Sequence, residues 1–208
     1  MLITDVKPQV KDKNRVSVFI DGKFSFGISE GDALYYKLVP NTEISEEKYD
    51  TILKELVFTK AKEKAVRFIG TGFKSRKEIA DKLKKDFGED IVEMTLETLQ
   101  KYGYCDDKKY TLMYIKESYK YKKNGPLKIK YDLKIKGVEE EIVRECFEET
   151  EYDFYALALE VLEKKYKGEP LTDFKEKKKA FDFLMRKGFD YSVSKEAMVE
   201  YENQGTTD

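Results

Sequence analysis

Three stretches of the chain repeat one pattern, and this limits the possible folds more than any other feature. SRKEIADKLKKDFGEDIVEMTLETL begins at Ser75, GPLKIKYDLKIKGVEEEIVRECF at Gly125 and KKKAFDFLMRKGFDYSVSKEAM at Lys177. Aligning Leu83, Leu133 and Leu184, which lie 50 and 51 residues apart, brings Phe87-Gly88, Gly137-Val138 and Gly188-Phe189 together at a helix end. Val92, Ile142 and Val193 then coincide on the next helix, as do Leu96, Cys146 and Ala197. Glycine at such an end supplies a left-handed residue that closes a helix without Cβ strain. Self-similarity at this period predicts three tandem three-helix units. The helices expected are 45–70, 75–86 and 89–101, then 106–123, 126–136 and 138–149, then 152–167, 172–187 and 190–202.

The opening segment has a different period. Val16, Val18 and Ile20 alternate, Asp21-Gly22 follows, and Phe24, Phe26 and Ile28 alternate again. A two-residue Asp-Gly loop between such runs predicts a hairpin, because a type I′ turn needs positive φ at both central residues. Leu2 to Val6 is a candidate third strand. Ser29, with Asp32 three residues on, starts a short helix to about Leu38, and Pro40-Asn41 breaks it. Ser45 caps the next helix, whose apolar stripe runs from Tyr49 through Ile52, Leu53, Leu56, Ala61 and Ala65 to Phe68 and Ile69. The expected organisation is a β-hairpin extension with a short helix over 1–44, repeats over 45–104 and 105–150, and a third repeat with a frayed tail over 151–208.

Composition then narrows the function classes. The chain has 208 residues, 39% charged yet 40% hydrophobic, enough to bury a core. It contains no histidine, which excludes Ser-His-Asp and Cys-His catalysis and histidine-ligated zinc. Two cysteines, Cys105 and Cys146, are too few for a disulfide scaffold or a four-thiolate metal site. With no long apolar run and no signal-like segment, the expectation is a cytoplasmic protein with no membrane contact, no cofactor and no metal.

One stretch, Lys101 to Tyr110 (KYGYCDDKKY), sets two carboxylates beside a thiol. It falls at the seam between the first two repeats. Asp106 and Asp107 open the next helix there, capping free N–H groups and meeting the positive end of the dipole. No third carboxylate stands at ligand spacing, and no histidine is available to activate Cys105.

A net charge of −1 hides a local asymmetry. Between Asp106 and Gly137 ten lysines face four acidic residues, and Glu139 to Glu151 is strongly acidic. Lys116, Lys120, Lys122, Lys123, Lys128, Lys130, Lys134 and Lys136 are the candidates here for nucleic-acid or protein contact. Tyr114, Tyr119, Tyr121 and Tyr131 are interleaved with them. Arg67, Lys74, Arg76 and Lys77 form a smaller basic cluster. Such a surface meets phosphate without reading bases. A solvated helix face and core tyrosines are the plain alternative.

An ordered set of these residues resembles the RecX family of recombination regulators. It comprises Ser75, Glu78, Ile79 and Leu83; Gly103, Tyr104, Asp106, Asp107 and Tyr110; then Lys123, Gly125, Ile129, Leu133, Lys136, Gly137 and Val138. The resemblance is clear over about 61–150. Asp86-Phe87-Gly88 departs from the usual Lys-Gly, and Pro126 stands where a polar residue is common. The resemblance implies a mainly α fold of three tandem three-helix repeats in an elongated, curved array, with a small antiparallel β extension at the N-terminus. A non-enzymatic monomer is a separate expectation; the resemblance also implies a protein that binds RecA filaments on single-stranded DNA, with weak or filament-borne contact to that DNA. Such a protein most often inhibits RecA ATPase and strand exchange, within DNA repair, homologous recombination and the SOS response. The rival readings are a helical module acting on naked DNA without RecA, a metal enzyme using Asp106 and Asp107, and a pure protein scaffold.

Overall fold

The computed structural model describes residues 1–10, 12, 14–167, 169 and 171–204. Strands β1 (Leu2–Pro8), β2 (Arg15–Ile20) and β3 (Lys23–Ser29) lead into helix α1 (Glu30–Tyr35) and the two-residue strand β4 (Thr42–Glu43). Helices follow: α2 (Glu46–Ile69), α3 (Arg76–Leu83), α4 (Glu89–Lys101), α5 (Asp107–Glu117), a π-helical turn (Ser118–Lys122), α6 (Pro126–Ile135), α7 (Glu140–Glu148), α8 (Phe154–Tyr166), α9 (Phe174–Lys187) and α10 (Tyr191–Gln204). The mainly α class with tandem three-helix repeats and an N-terminal antiparallel sheet is the fold observed. By internal contacts the chain forms two units, Met1–Phe68 with Leu83–Thr98, and Ile69–Lys82 with the residues from Leu99 onward.

In the first unit the sheet order is β3-β2-β1-β4, all antiparallel. Val16 faces Ile28 and Val18 faces Phe26 across β2 and β3, so one face of the pleat is apolar. That face packs with Ile3, Ala33, Leu38 and Ile44 on Ile52, Tyr49, Leu53 and Leu56 of α2. The turn is as expected, with Asp21 at φ 49° and Gly22 at φ 79°. Thr4 and Asp21 fasten it to β1: Gly22 N–H donates to Thr4 Oγ1 (3.0 Å) and Leu2 N–H to Asp21 Oδ1 (2.8 Å). On the outer strand β3, Lys60 Nζ (2.6 Å) and an Arg15 guanidinium nitrogen (3.1 Å) both donate to Gly27 O, occupying a carbonyl of the edge. Strand β4 was not expected from sequence, because two polar residues carry no alternation. It exists because Leu2 and Ile3 pair with Glu43 and Thr42.

In the second unit two repeats have separate cores. Tyr110, Ile115, Ile129, Leu133, Val138, Val143 and Cys146 join α5, α6 and α7. Leu157, Leu162, Ala180, Leu184, Phe189 and Ala197 join α8, α9 and α10. The aligned glycines end α6 and α9 in the same way. Gly137 (φ 74°) and Gly188 (φ 87°) are left-handed. Gly137 N–H bonds Lys134 O and Val138 N–H bonds Leu133 O; likewise Gly188 N–H bonds Met185 O and Phe189 N–H bonds Leu184 O. This is the Schellman pattern, and it explains the apolar residue after each glycine, which folds back on the helix it has left.

The α6 and α9 ends also build the joints between repeats. At the N-terminus of α6, Gly125 N–H donates to Lys187 O (2.8 Å) and Leu127 N–H to Gly188 O (2.9 Å). At the N-terminus of α3, Ser75 Oγ donates to Lys136 O (2.7 Å). Ser75 and Gly125 are aligned positions, as are Lys136 and Lys187. The repeat in the sequence is therefore a repeated head-to-tail joint, α9 onto α6 and α6 onto α3. In each, the carbonyl end of one helix satisfies donors at the start of the next.

Four expectations are corrected. Gly88 is not left-handed: α3 stops at Leu83, short of residue 86, and Gly88 O accepts from Val92 N–H at the start of α4. The helix expected over 106–123 is helical over 107–122, but it passes from α to a π turn at Ser118 and ends at left-handed Lys123 (φ 54°). There Ser118 O accepts from both Lys123 N–H and Asn124 N–H, a pattern that apolar periodicity does not record. Residues 202–204 are helical rather than frayed, while the rest of the expected tail, 205–208, lies outside the described residues. Finally, α1 stops at Tyr35, short of Leu38; Ser29 Oγ caps it by accepting from Asp32 N–H and also donates to the Asp32 carboxylate.

Candidate partner-binding surface and the signature junction

Ser75, Glu78, Asp107, Tyr110, Lys136 and Gly137, six of the residues that carry the family resemblance, gather at the α6–α3 joint, while Gly125 serves the α9–α6 joint. Ser75 and Glu78 form a reciprocal capping box: Glu78 N–H donates to Ser75 Oγ (3.2 Å) and Ser75 N–H to Glu78 Oε2 (3.0 Å). The other Glu78 oxygen holds Lys136 Nζ at 2.7 Å. Lys136 also lies 5.9 Å from the Tyr110 ring centroid and 5.7 Å from that of Tyr114. A Cβ on Gly137 would meet the Lys77 side chain, so glycine is required here for close approach as well as for φ.

Asp106 and Asp107 answer to different helices. Asp106 caps its own helix, accepting from Lys109 N–H at 3.0 Å. Asp107 reaches across to α3 and accepts from Arg76 N–H at 2.8 Å. Both open α5 as expected, Asp106 at its N-cap and Asp107 in its first turn, but the expectation that both cap it is corrected for Asp107, whose carboxylate serves the start of α3. Their acidities diverge accordingly: hydrogen bonding from Lys109 N–H pulls Asp106 down, whereas burial pushes Asp107 up. Cys105 and Cys146 are buried, and burial raises both thiols, which disfavours the thiolate.

The electrostatics of the Glu78–Lys136 pair is consistent on both sides. Burial alone would lower the Lys136 amine, but hydrogen bonds to Glu78 and Tyr110 hold it above its ordinary value. Burial alone would raise Glu78, yet Lys136 and the Ser75 N–H hold it below. Because the Glu78 carboxyl is depressed in the folded state, the unfolded chain takes up this proton first as pH falls. The pair therefore stabilises fully above the ordinary glutamate range, and that contribution is lost as pH drops through the folded value. Glu78→Gln should then lower stability by about 1 kcal/mol near neutrality, a figure kept small because both side chains are partly solvated. The two proteins should converge at low pH, where Glu78 is itself protonated. Urea midpoints followed from about pH 3 to about pH 7 check this.

The candidate lysines divide by partner. Lys123 pairs with Glu160 (2.7 Å), Lys128 with Asp132 (2.9 Å) and Lys136 with Glu78 (2.7 Å). Lys108, at the start of the basic block, is taken by Glu149 (2.6 Å) and Glu145 (3.6 Å) of the acidic block. Counting charge along the chain missed this neutralisation, because the fold lays one block against the other. Lys122 lies 4.6 Å from the Tyr114 ring centroid and Lys130 4.9 Å from that of Phe147. Lys116, Lys120, Lys122, Lys130 and Lys134 are exposed and make no ion pair among the described residues. Of the smaller cluster, Arg67 lies in the first unit and its guanidinium bonds Glu63 O. Lys74, Arg76 and Lys77 lie in the second. Arg76 bonds Gln100 (3.0 Å), Lys77 Nζ donates to Ile135 O (3.2 Å), and Lys74 is half-buried beside Glu78.

The interleaved tyrosines divide as well. Tyr114 is half-buried and donates to Asp132 Oδ2 (3.1 Å); burial and that carboxylate push it up to about 12. Tyr119 stacks on Tyr152 with centroids 4.3 Å apart. Tyr121 and Tyr131 are exposed.

Three-helix repeats joined end to end define a helical tandem-repeat protein. Comparison with known proteins gives the particular family. Residues 1–45 match the N-terminal domain of regulatory protein RecX, and residues 61–99, 106–146 and 151–198 match its first, second and third three-helix domains. The regulatory protein RecX of Clostridium beijerinckii is 33% identical over 204 residues, covering 94% of this chain and 93% of its own. That of Clostridium perfringens is 36% identical over 196 residues and 91% of each chain. A crystal structure of regulatory protein RecX superposes with TM-score 0.63 and 26% identity, over 93% of this chain and 97% of that one. RecX from Lactobacillus salivarius shares the fold, with TM-score 0.62 over 71% of this chain and 97% of that one. The chain belongs to the RecX family of regulatory proteins. No helix among the described residues is long and apolar enough to cross a membrane.

Proposed function

We propose that this protein is a monomeric, cytoplasmic regulator of RecA that binds RecA filaments on single-stranded DNA and inhibits their ATPase and strand exchange. Its setting is then DNA repair, homologous recombination and the SOS response. The observation that supports this reading best is the ordered match of all four RecX domains along the chain. The surface we assign to the contact is built on Lys116, Lys120, Lys122, Lys130 and Lys134. Lys123, Lys128 and Lys136 are partly neutralised by ion pairs, and Arg67, Lys74, Arg76 and Lys77 are secondary candidates. The mechanism is occupancy: repeats that span adjacent RecA subunits gain effective concentration from each added contact. A filament so occupied admits a second DNA less readily and turns over ATP more slowly. Neither effect asks for a catalytic residue.

The test is RecA-catalysed ATP hydrolysis on single-stranded DNA, titrated with the purified protein at several salt concentrations. Inhibition near one molecule per few RecA subunits supports filament occupancy, and inhibition far below that ratio points to action at filament ends. If DNA phosphates carry the contact, the log–log salt slope steepens by about 0.7 per phosphate neutralised. No inhibition, beside tight binding to naked DNA, sinks this reading in favour of a DNA-binding module.

A further inference from the structure

The outer face of α6 carries an apolar stripe that the repeat itself does not need. Ile129 and Leu133 turn into the core and are fully buried. Leu127, Tyr131 and Ile135, at i, i+4 and i+8 of the same helix, are 51%, 61% and 56% exposed. The chain contains its own control. With Leu83, Leu133 and Leu184 aligned, the corresponding positions are Lys77, Asp81 and Lys85 in the first repeat, and Lys178, Asp182 and Arg186 in the third. The third repeat thus carries cation, anion and cation along α9, as a solvated helix face does; the first carries the same charges, with Lys85 past the end of α3 and Lys77 reaching Ile135 O. Only the middle repeat replaces all three with Leu, Tyr and Ile.

The surroundings indicate what covers the stripe. Lys130 and Lys134 alternate with it along the helix and make no ion pair among the described residues. Beside them opens a groove floored by Val138 and Val143. Glu140 and Glu141 also line it, but Glu141 is held by Arg144. A nucleic-acid strand would use Tyr131 for stacking and the lysines for phosphates, and would gain little from Leu127 and Ile135. A protein segment with an apolar face uses all three side chains, and the unpaired lysines favour acidic flanks on it.

We infer that the outer face of α6 is the docking surface for an acidic, apolar-faced segment of a partner protein. The identity of that partner rests on the regulatory reading above, which places the segment on RecA.

The test converts the stripe to the third repeat's own residues: Leu127→Lys, Tyr131→Asp and Ile135→Arg together. All three sites are exposed, and the set is one that this fold already accommodates at α9. A second variant, Lys130→Gln with Lys134→Gln, removes only the charge. Binding of the full chain is measured to RecA filaments assembled on poly(dT) with a slowly hydrolysed ATP analogue, and to a dT oligonucleotide alone, with sedimentation equilibrium on each protein. The triple variant is expected to lose about tenfold or more in filament affinity, as loss of a hot-spot cluster does. Its oligonucleotide binding should hold or tighten, since the change adds net positive charge. The lysine variant should weaken filament binding and flatten its salt dependence. Filament binding by the triple variant equal to wild type overturns the surface while leaving the regulatory reading intact. So does a matching loss of oligonucleotide binding, which would make the face a nucleic-acid contact. So does a wild-type dimer that the triple variant abolishes, which would make it a self-association face. Wild-type protein that ignores the filament overturns the regulatory reading and this assignment together.

Discussion

Gly188→Ala should destabilise the protein by about 3 kcal/mol, combining the left-handed penalty for a side chain with forced repacking. Gly188 has φ 87°, and a Cβ there would press into the backbone of Lys128. Gly103 is the control. Its φ is 76°, but a Cβ would meet nothing within 4 Å, so Gly103→Ala should cost only about 1 kcal/mol, the conformational part. Urea unfolding gives the two numbers, and amide exchange gives the location. The Gly125 and Leu127 amides donate to Lys187 O and Gly188 O. They should lose protection in Gly188→Ala and keep it in Gly103→Ala. Equal costs for the two substitutions would mean that the joint tolerates an extra methyl group, and that the close approach does not couple the repeats.

Phe189→Ala should cost about 4 kcal/mol, as expected for a fully buried aromatic side chain whose cavity cannot collapse. Phe189 is fully buried among Leu157, Leu162, Ala180, Leu184 and Ala197. The core of α5, α6 and α7 is a separate cluster. In a repeat protein, stability is roughly a sum of units and their interfaces. The loss should therefore appear first as exchange in α8, α9 and α10, with Ile115, Ile129 and Leu133 still protected. A single cooperative loss across both cores would show instead that the α9–α6 joint binds them into one unfolding unit.

These two residues also show how much was legible beforehand. Gly188-Phe189 and Gly137-Val138 stood out in the sequence because a Schellman end needs a left-handed residue and then an apolar one, both within six positions of the helix they close. In the first repeat Phe87 stands where Gly137 and Gly188 align, and Gly88, one position on, is not left-handed. The Asp-Gly hairpin was readable for the same local reason, since its turn depends on two adjacent φ angles. The two-residue strand β4 was not, since only its distant partners Leu2 and Ile3 make it a strand.

The candidate site divides along the same line. That Lys116 to Lys136 is rich in lysine is a property of the chain. Which of these lysines stay available depends on Glu160, Asp132 and Glu78, the last some 58 residues from its partner. The sequence alone determined the repeat, the helix ends, the hairpin and the family signature, because neighbours within a turn or two decide each of them. Tertiary structure decided that Asp107 caps α3 rather than α5, that the acidic block neutralises Lys108, and that α9, α6 and α3 meet end to end. Those contacts join groups some 31 to 62 residues apart, and only packing of the repeats brings their donors and acceptors together.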